Sequence, residues 1–353
     1  VEICCVWALT IGNILVSQNT KRVIITGAMG FIGSHTAKAF QQAGYYVIGI
    51  DRTWTIPDAS MFVNELIIDD FVNITATAAN INNVDTIIHI AGTSLVGPSI
   101  ANPGEYYDNN VAKTNRMLDE LSKLGWKGTI IFSSSAATYG NDCSVPIAEY
   151  AQGIPVSPYG HSKKMCEYVI ESHVQAHGYK GIALRYFNAC GCDPDGTLGN
   201  NWNDTHLIPK VIQSVLEKNA LTINGNDFLT KDGTCVRDYL HVSDIASAHV
   251  QSVELAKTLD IGTFEAYNLG TGQGISNLEI VKAVEYATGL DVDYKLGPRR
   301  FGDPDELIAD PTKFMSDTQW QPKYSQLETI VLTTLNWMEK NNIKIIKVEH
   351  VED

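Results

Sequence analysis

Arg22-Val-Ile-Ile-Thr26-Gly27-Ala-Met-Gly30-Phe-Ile-Gly33 is the stretch on which the fold turns. Its first five residues are rich in β-branched side chains, which predicts a strand. From Phe31 to Ala43 apolar residues recur at helical spacing, and Gly44 ends the run. In such a strand–turn–helix unit the first glycine permits the tight turn. The second lets backbone approach a pyrophosphate, and the third lets the helix pack close to the strand. The helix N-terminus adds free N–H groups and the positive end of its dipole. Three spaced glycines mean little alone in a chain with 28 of them, but their place directly after a strand predicts a dinucleotide site. Gly27, Gly30 and Gly33 would carry it, with Phe31 and Ile32 beside them.

Working outward, Tyr46 to Ile50 reads as a second strand and ends at Asp51, eighteen residues after Gly33. A carboxylate there accepts hydrogen bonds from a ribose 2′-hydroxyl and repels a 2′-phosphate, so NAD is expected rather than NADP. Arg52 beside it is the opposing signal. Asp70 reads as an adenine partner or as an exposed turn aspartate. Further strands are predicted at Leu66–Ile68, Thr86–Ile90, Thr129–Phe132 and Ile182–Tyr186, with amphipathic segments at Tyr106–Leu124 and Ser162–His177. This alternation predicts an α/β fold, a doubly wound parallel sheet of Rossmann type with a smaller mixed α/β substrate lobe. Residues 21–188 form the expected NAD-binding domain, to which 237–262 return. The lobe comprises 189–236 and 263–353, and Asp193–Asp204 reads as a long loop.

Composition narrows the function. A chain of 353 residues with 44% apolar and 19% charged residues can bury a large core. Its net charge of −14, with no run of five like charges, argues against nucleic acid as partner. A polyanionic ligand must instead meet a few placed arginines or backbone amides. The seven cysteines form no Cys-x-x-Cys pair and have no zinc-ligand spacing, so no metal is expected. They read as reduced packing residues of a cytoplasmic protein. Val1–Gln18 is apolar but contains Glu2, Gly12 and Asn13, and reads as an extension rather than a membrane anchor.

Tyr159 and Lys163 stand four apart at the start of a helical segment, on one face and a turn apart. A free phenol titrates near ~10 and is a poor base at neutrality. A nearby ammonium, with a positive nicotinamide, favours the phenolate. A Tyr-x-x-x-Lys pair alone should occur about once by chance in a chain this long. Ser133-Ser134-Ser135 raises its weight, because these hydroxyls follow the strand Thr129–Phe132 at a carboxyl end. Ser135 is read as the catalytic hydroxyl, with local backbone capping the alternative that suits Ser133 and Ser134 better.

With these residues assembled, the chain resembles the extended short-chain dehydrogenase/reductases and, more closely, the UDP-glucose 4-epimerases. The likeness runs from about Lys21 to Lys340 through Tyr106-Tyr-Asp-Asn-Asn-Val111, Phe132-Ser-Ser-Ser-Ala136, Tyr159-Gly-His-Ser-Lys163, Arg185-Tyr-Phe-Asn188, Asp232-Gly-Thr-Cys-Val-Arg-Asp-Tyr239, Tyr267-Asn-Leu-Gly270 and Arg299-Arg-Phe-Gly-Asp303. It implies that Tyr159 takes the proton of a sugar 4-hydroxyl while hydride passes to a resident NAD, and that the 4-keto sugar then turns and is reduced on its other face. It also implies cofactor contacts from Ala91, Gly92, Asn110, Ser133 and Tyr186. A UDP-hexose would be held by Asn188, Arg237, Arg300 and Asp303, since a guanidinium fork suits phosphate oxygens. An ion pair with Asp238 is the alternative for Arg237, and Arg299 reads as a surface charge. Leu207 and Ile223 fall at the uracil pocket or in the core.

Two departures stand out. Ser94 occupies a position under the nicotinamide ribose that often carries lysine, and Leu307 occupies the position that gates the sugar 2-substituent. The resemblance implies some tolerance of UDP-N-acetyl sugars, and a homodimer built on Tyr106–Leu124 and Ser162–His177. Dehydratases of the same superfamily carry an Asp-Glu pair where this chain has Ala136-Ala137. A UDP-glucuronate decarboxylase is the remaining enzymatic alternative. A regulator that only senses NAD would not require Ser135, Tyr159 and Lys163 together.

Overall fold

The computed structural model describes residues 21–53, 56–77, 81–200, 206–300 and 302–341. The expectation for the N-terminal extension, 1–20, lies outside these described residues. The first six strands are β1 (Arg22–Thr26), β2 (Tyr46–Asp51), β3 (Glu65–Ile68), β4 (Thr86–His89), β5 (Thr129–Ser135) and β6 (Lys180–Tyr186). Beyond them come β7 (Asn188–Cys190), β8 (Leu221–Asn224), β9 (Val236–Arg237), β10 (Tyr239–His241), β11 (Phe264–Leu269), β12 (Ile275–Ser276), β13 (Tyr294–Gly297) and β14 (Glu306–Leu307).

Seven strands form the main sheet in the order β11-β6-β5-β4-β1-β2-β3, and every pairing is parallel. Alternate side chains of a strand point to opposite faces. Accordingly Val23 and Ile25 join one apolar cluster while Ile24 joins the other. Helices Phe31–Gln42 and Val242–Thr258 cover the first face, and Lys113–Lys123 and Pro158–His177 the second. Burial on both faces is why these strands read as continuous apolar runs. From β1 the order proceeds outward through β2 and β3, and from β4 in the opposite sense through β5 and β6. The reversal opens a crevice at the carboxyl ends of β1 and β4, where doubly wound sheets bind ligands.

The second lobe has its own apolar cluster, built on helices Leu207–Glu217, Asn277–Thr288 and Leu327–Lys340. Short strands stitch it together: β7 with β10, β8 with β13, and β9 between β12 and β14. The boundary expected at residue 263 is corrected by β11, which belongs to the main sheet beside β6. After the covering helix Val242–Thr258 the chain crosses back to the open edge of β6, the usual route to a further parallel strand. The lobe resumes only after Leu269. Among the described residues no helix is long and apolar enough to cross a membrane.

Candidate active site

The crevice opens into one cleft of about 1410 Å³ running from the glycine loop to the second lobe. That exceeds the ~300–1,000 Å³ of a pocket for one small ligand. Gly27 has φ +72°, and a Cβ there would fall 2.8 Å from the Ala91 nitrogen. A Cβ on Gly33 would fall 1.9 Å from the Gly27 carbonyl oxygen, so only hydrogen fits between helix and strand. Asp51 accepts a hydrogen bond from the Met29 amide at 2.9 Å and faces the cleft, as do Gly30, Phe31, Ile32, Ala91 and Gly92. This cradle, with a carboxylate at the end of β2, fits NAD.

Two expected cofactor residues are placed elsewhere. The carboxylate of Asp70 pairs with Lys113 at 2.6 Å and accepts from the Val72 amide, while Asp69 and Phe71 face the cleft. Asn110 points its amide at the Thr93 backbone, accepting from N at 2.7 Å and donating to O at 3.0 Å; Asn109 lines the cleft instead. The cause is local. Residues 107–112 form a π-helical turn within the helical run that starts at Pro103. Its extra residue rotates the faces that a 3.6-residue period assigns. The sequence carries no signal of that turn.

Pro158 opens the helix bearing Tyr159 and Lys163, four residues earlier than Ser162, and Ser157 caps it by accepting from the Gly160 amide at 3.1 Å. Tyr159 therefore stands in the first turn and lines the cleft together with Ser135, which ends β5. Burial pushes the Tyr159 phenol above its ordinary value, and the Ser135 hydroxyl acts in the opposite direction. The Lys163 ammonium lies 6.0 Å from the Tyr159 ring centre and donates to the Ser133 carbonyl at 2.7 Å. Burial pushes Lys163 itself down to about 8. Among the protein's own groups, burial is the largest influence on the Tyr159 phenol.

The three serines divide differently from expectation. Ser135 both lines the cleft beside Tyr159 and caps the local backbone, accepting from the Ala137 amide at 3.2 Å. Ser134 donates to Glu167 at 2.6 Å, and Glu167 forms a buried two-point ion pair with Arg185. Ser133 and Tyr186 share a hydrogen bond of 2.7 Å, and the Tyr186 hydroxyl meets His249 at 2.6 Å. Both Ser133 and Tyr186 face the cleft.

At the lobe end, Asn188, Leu207, Ile223, Arg237, Arg300, Asp303 and Leu307 all line the same cleft. The buried Arg237 guanidinium is aimed by two backbone carbonyls, Val236 at 2.8 Å and Pro304 at 3.0 Å. Its ion-pair partner is Asp303 at 3.5 Å, not Asp238, which instead accepts from the Thr271 and Gly272 amides. Arg300 donates to Asp303 at 2.9 Å. Arg299 pairs with Asp305 and stacks on Phe228, away from the cleft. Ile223 serves both readings, being buried in the lobe cluster while it also lines the cleft. Five described cysteines are unpaired thiols, and Cys190, Cys192 and Cys235 line the cleft rather than only filling core.

Comparison with known proteins decides the family. The model of the NAD dependent epimerase/dehydratase family matches residues 23–270. A UDP-glucose 4-epimerase of Halalkalibacterium halodurans is 38% identical over 90% of this chain and 96% of its own length. This chain belongs to the UDP-glucose 4-epimerase family. A UDP-glucose 4-epimerase from Bifidobacterium longum, solved with NAD+ and UDP, superposes with a TM-score of 0.82 at 34% identity, covering 91% of this chain and 99% of that one. A UDP-Glc/GlcNAc 4-epimerase from Campylobacter jejuni gives 0.75 at 33% identity, with coverage of 91% and 99%. Within this family the cleft keeps its two departures: Ser94 and Leu307 both line it, and Ala136 and Ala137 offer no acid beside Ser135.

Proposed function

We propose that the protein interconverts UDP-glucose and UDP-galactose by transient oxidation at sugar C4, with NAD resident in the glycine-loop half of the cleft. The observation that carries this reading is that Ser135, Tyr159 and Lys163 line one continuous cleft between the dinucleotide cradle and the arginine-bearing lobe. NAD supplies the hydride acceptor and a cationic ring whose positive charge favours the phenolate that burial alone disfavours. Tyr159 then takes the proton of the 4-hydroxyl, and Ser135 holds the same oxygen and the phenol in one geometry. Lys163, fixed on the Ser133 carbonyl, holds positive charge beside Gly92 and under the ring of Tyr159. Arg237, Arg300 and Asn188 grip the diphosphate while the 4-keto sugar turns, and Asp303 fixes both guanidinium groups. Leu207 and Ile223 flank the uracil.

The test is to incubate the purified protein with UDP-galactose and follow the sugar by NMR. UDP-glucose should form without net release of NADH. Tyr159→Phe should lower kcat by about 10²–10⁴ while NAD stays bound. A wild-type protein that releases NADH stoichiometrically, or leaves UDP-galactose unchanged, refutes the reading.

The same inference extends to assembly and compartment. Met165 and Tyr168 are exposed apolar side chains on the helix Pro158–His177, and support a homodimer through the face it shares with Lys113–Lys123. Sedimentation equilibrium showing only monomer at micromolar concentration would contradict it. The unpaired thiols support a reducing, cytoplasmic setting, which cell fractionation checks.

A further inference from the structure

Leu95 has φ +83° and ψ 125°, outside the wells that a leucine ordinarily occupies. The other non-glycine residues of positive φ among the described residues, Lys218 and Gln319, terminate helices in the common left-handed form. Leu95 does not cap a helix C-terminus. Its turn faces the cleft through Ser94, Leu95 and Val96. Backbone of this kind persists only where its surroundings overdetermine it.

Those surroundings come from one helical run. Asn110 binds both backbone polar groups of Thr93, and Asn109 donates to the Thr93 hydroxyl at 2.9 Å. One turn earlier, the Tyr106 hydroxyl donates to the carbonyls of Ser94 at 2.6 Å and Leu95 at 2.9 Å. Tyr106 is 1% exposed, and its ring meets the Tyr159 ring edge-on at 6.3 Å between centroids. A single buried side chain thus touches both the strained cleft wall and the proposed base.

We propose that Tyr106 is a positioning residue whose hydroxyl clamps the Ser94–Leu95 turn in its strained form and so sets the cleft wall against Tyr159. The inference rests on the reading of Tyr159 as the base. Without the clamp, leucine relaxes to negative φ and the wall moves; a glycine at the same position has no such drive.

The experiment is a double-mutant cycle of Tyr106→Phe and Leu95→Gly, assayed with UDP-galactose on protein carrying its NAD. Tyr106→Phe keeps the ring and its packing, and circular dichroism verifies the fold. It should lower kcat about tenfold or more with a smaller change in KM, but less than about threefold in the Leu95→Gly background. Amide exchange over residues 92–97, read by mass spectrometry without turnover, should quicken about tenfold or more in Tyr106→Phe. Equal losses of kcat in both backgrounds, or unchanged exchange, would overturn the clamp. If the wild-type protein fails to convert UDP-galactose, the functional reading falls, and the exchange measurement still decides the clamp.

Discussion

Leu307 is half-buried at the sugar end of the cleft and packs against Ala136, Tyr139, Ile147 and Phe187. An isobutyl group leaves room that a phenol would fill and offers no hydroxyl to the sugar. We expect turnover of UDP-N-acetylgalactosamine with kcat/KM within about 100-fold of UDP-galactose, since steric discrimination in an apolar pocket is worth roughly 10–200-fold. Leu307→Tyr should cost the N-acetyl substrate about tenfold or more beyond its effect on UDP-galactose. Parallel assays of both substrates check this, and undetectable N-acetyl turnover by the wild type contradicts it. At this scale the sequence was legible where chemistry and spacing coincide: Gly27, Tyr159 and Lys163 all line the cleft. It was not legible where side-chain direction is set by context. Asp70 turns to Lys113, and Asn110 turns to Thr93, because a capping turn and a π-helical turn decide their aim.

Strand periodicity and glycine punctuation made most elements readable, yet their ends were set by contacts that a local pattern omits. Strand β5 runs on through Ser135 because β6 pairs with it as far as Tyr186. The helix carrying Tyr159 starts at Pro158, whose ring fixes a helical φ and whose missing N–H is not needed at the first position. Ser157 accepts from the Gly160 amide there, so loss of its hydroxyl frees a donor in the very turn that holds Tyr159. Ser157→Ala should cost about 1 kcal/mol of stability. It should also lower kcat more than a cap-removing substitution at Ser276, which heads the distant helix Asn277–Thr288. Thermal melts and steady-state rates of the two variants make the comparison. Strand β11 escaped its correct assignment for a related reason, since pairing with β6 across a long crossover is not encoded in its own six residues.

At the scale of the whole molecule, four buried histidines among the described residues tie stability to pH. His35 and His249 are pushed down to about 4, and His89 and His241 to about 3, each chiefly by burial. In the unfolded chain they titrate near ~6.5. Below that value the unfolded state binds protons that the folded state refuses, so stability falls as pH drops from about 6.5 toward about 4. Each histidine contributes on the order of 3 kcal/mol by the lower end of that window, comparable in sum to the folding free energy of a domain. Asp193, pushed up to about 6 by burial, works in the opposite sense, as do Glu149, Asp238 and Asp244, while the lowered carboxyls of Asp70, Glu167, Asp195 and Asp232 add to the histidines. An acid transition above about pH 4, followed by circular dichroism, is therefore expected. A protein still fully folded at pH 3 would contradict it.

In the three-stranded ribbon of the lobe, Leu307 on β14 stands in register with Arg237 on β9. The residue that would screen the hexose and the residue that would grip the diphosphate are therefore neighbouring teeth of one gear. Any change of backbone made to admit a bulkier sugar is transmitted to the grip, so selectivity and tightness cannot be tuned as independent dials in this lineage.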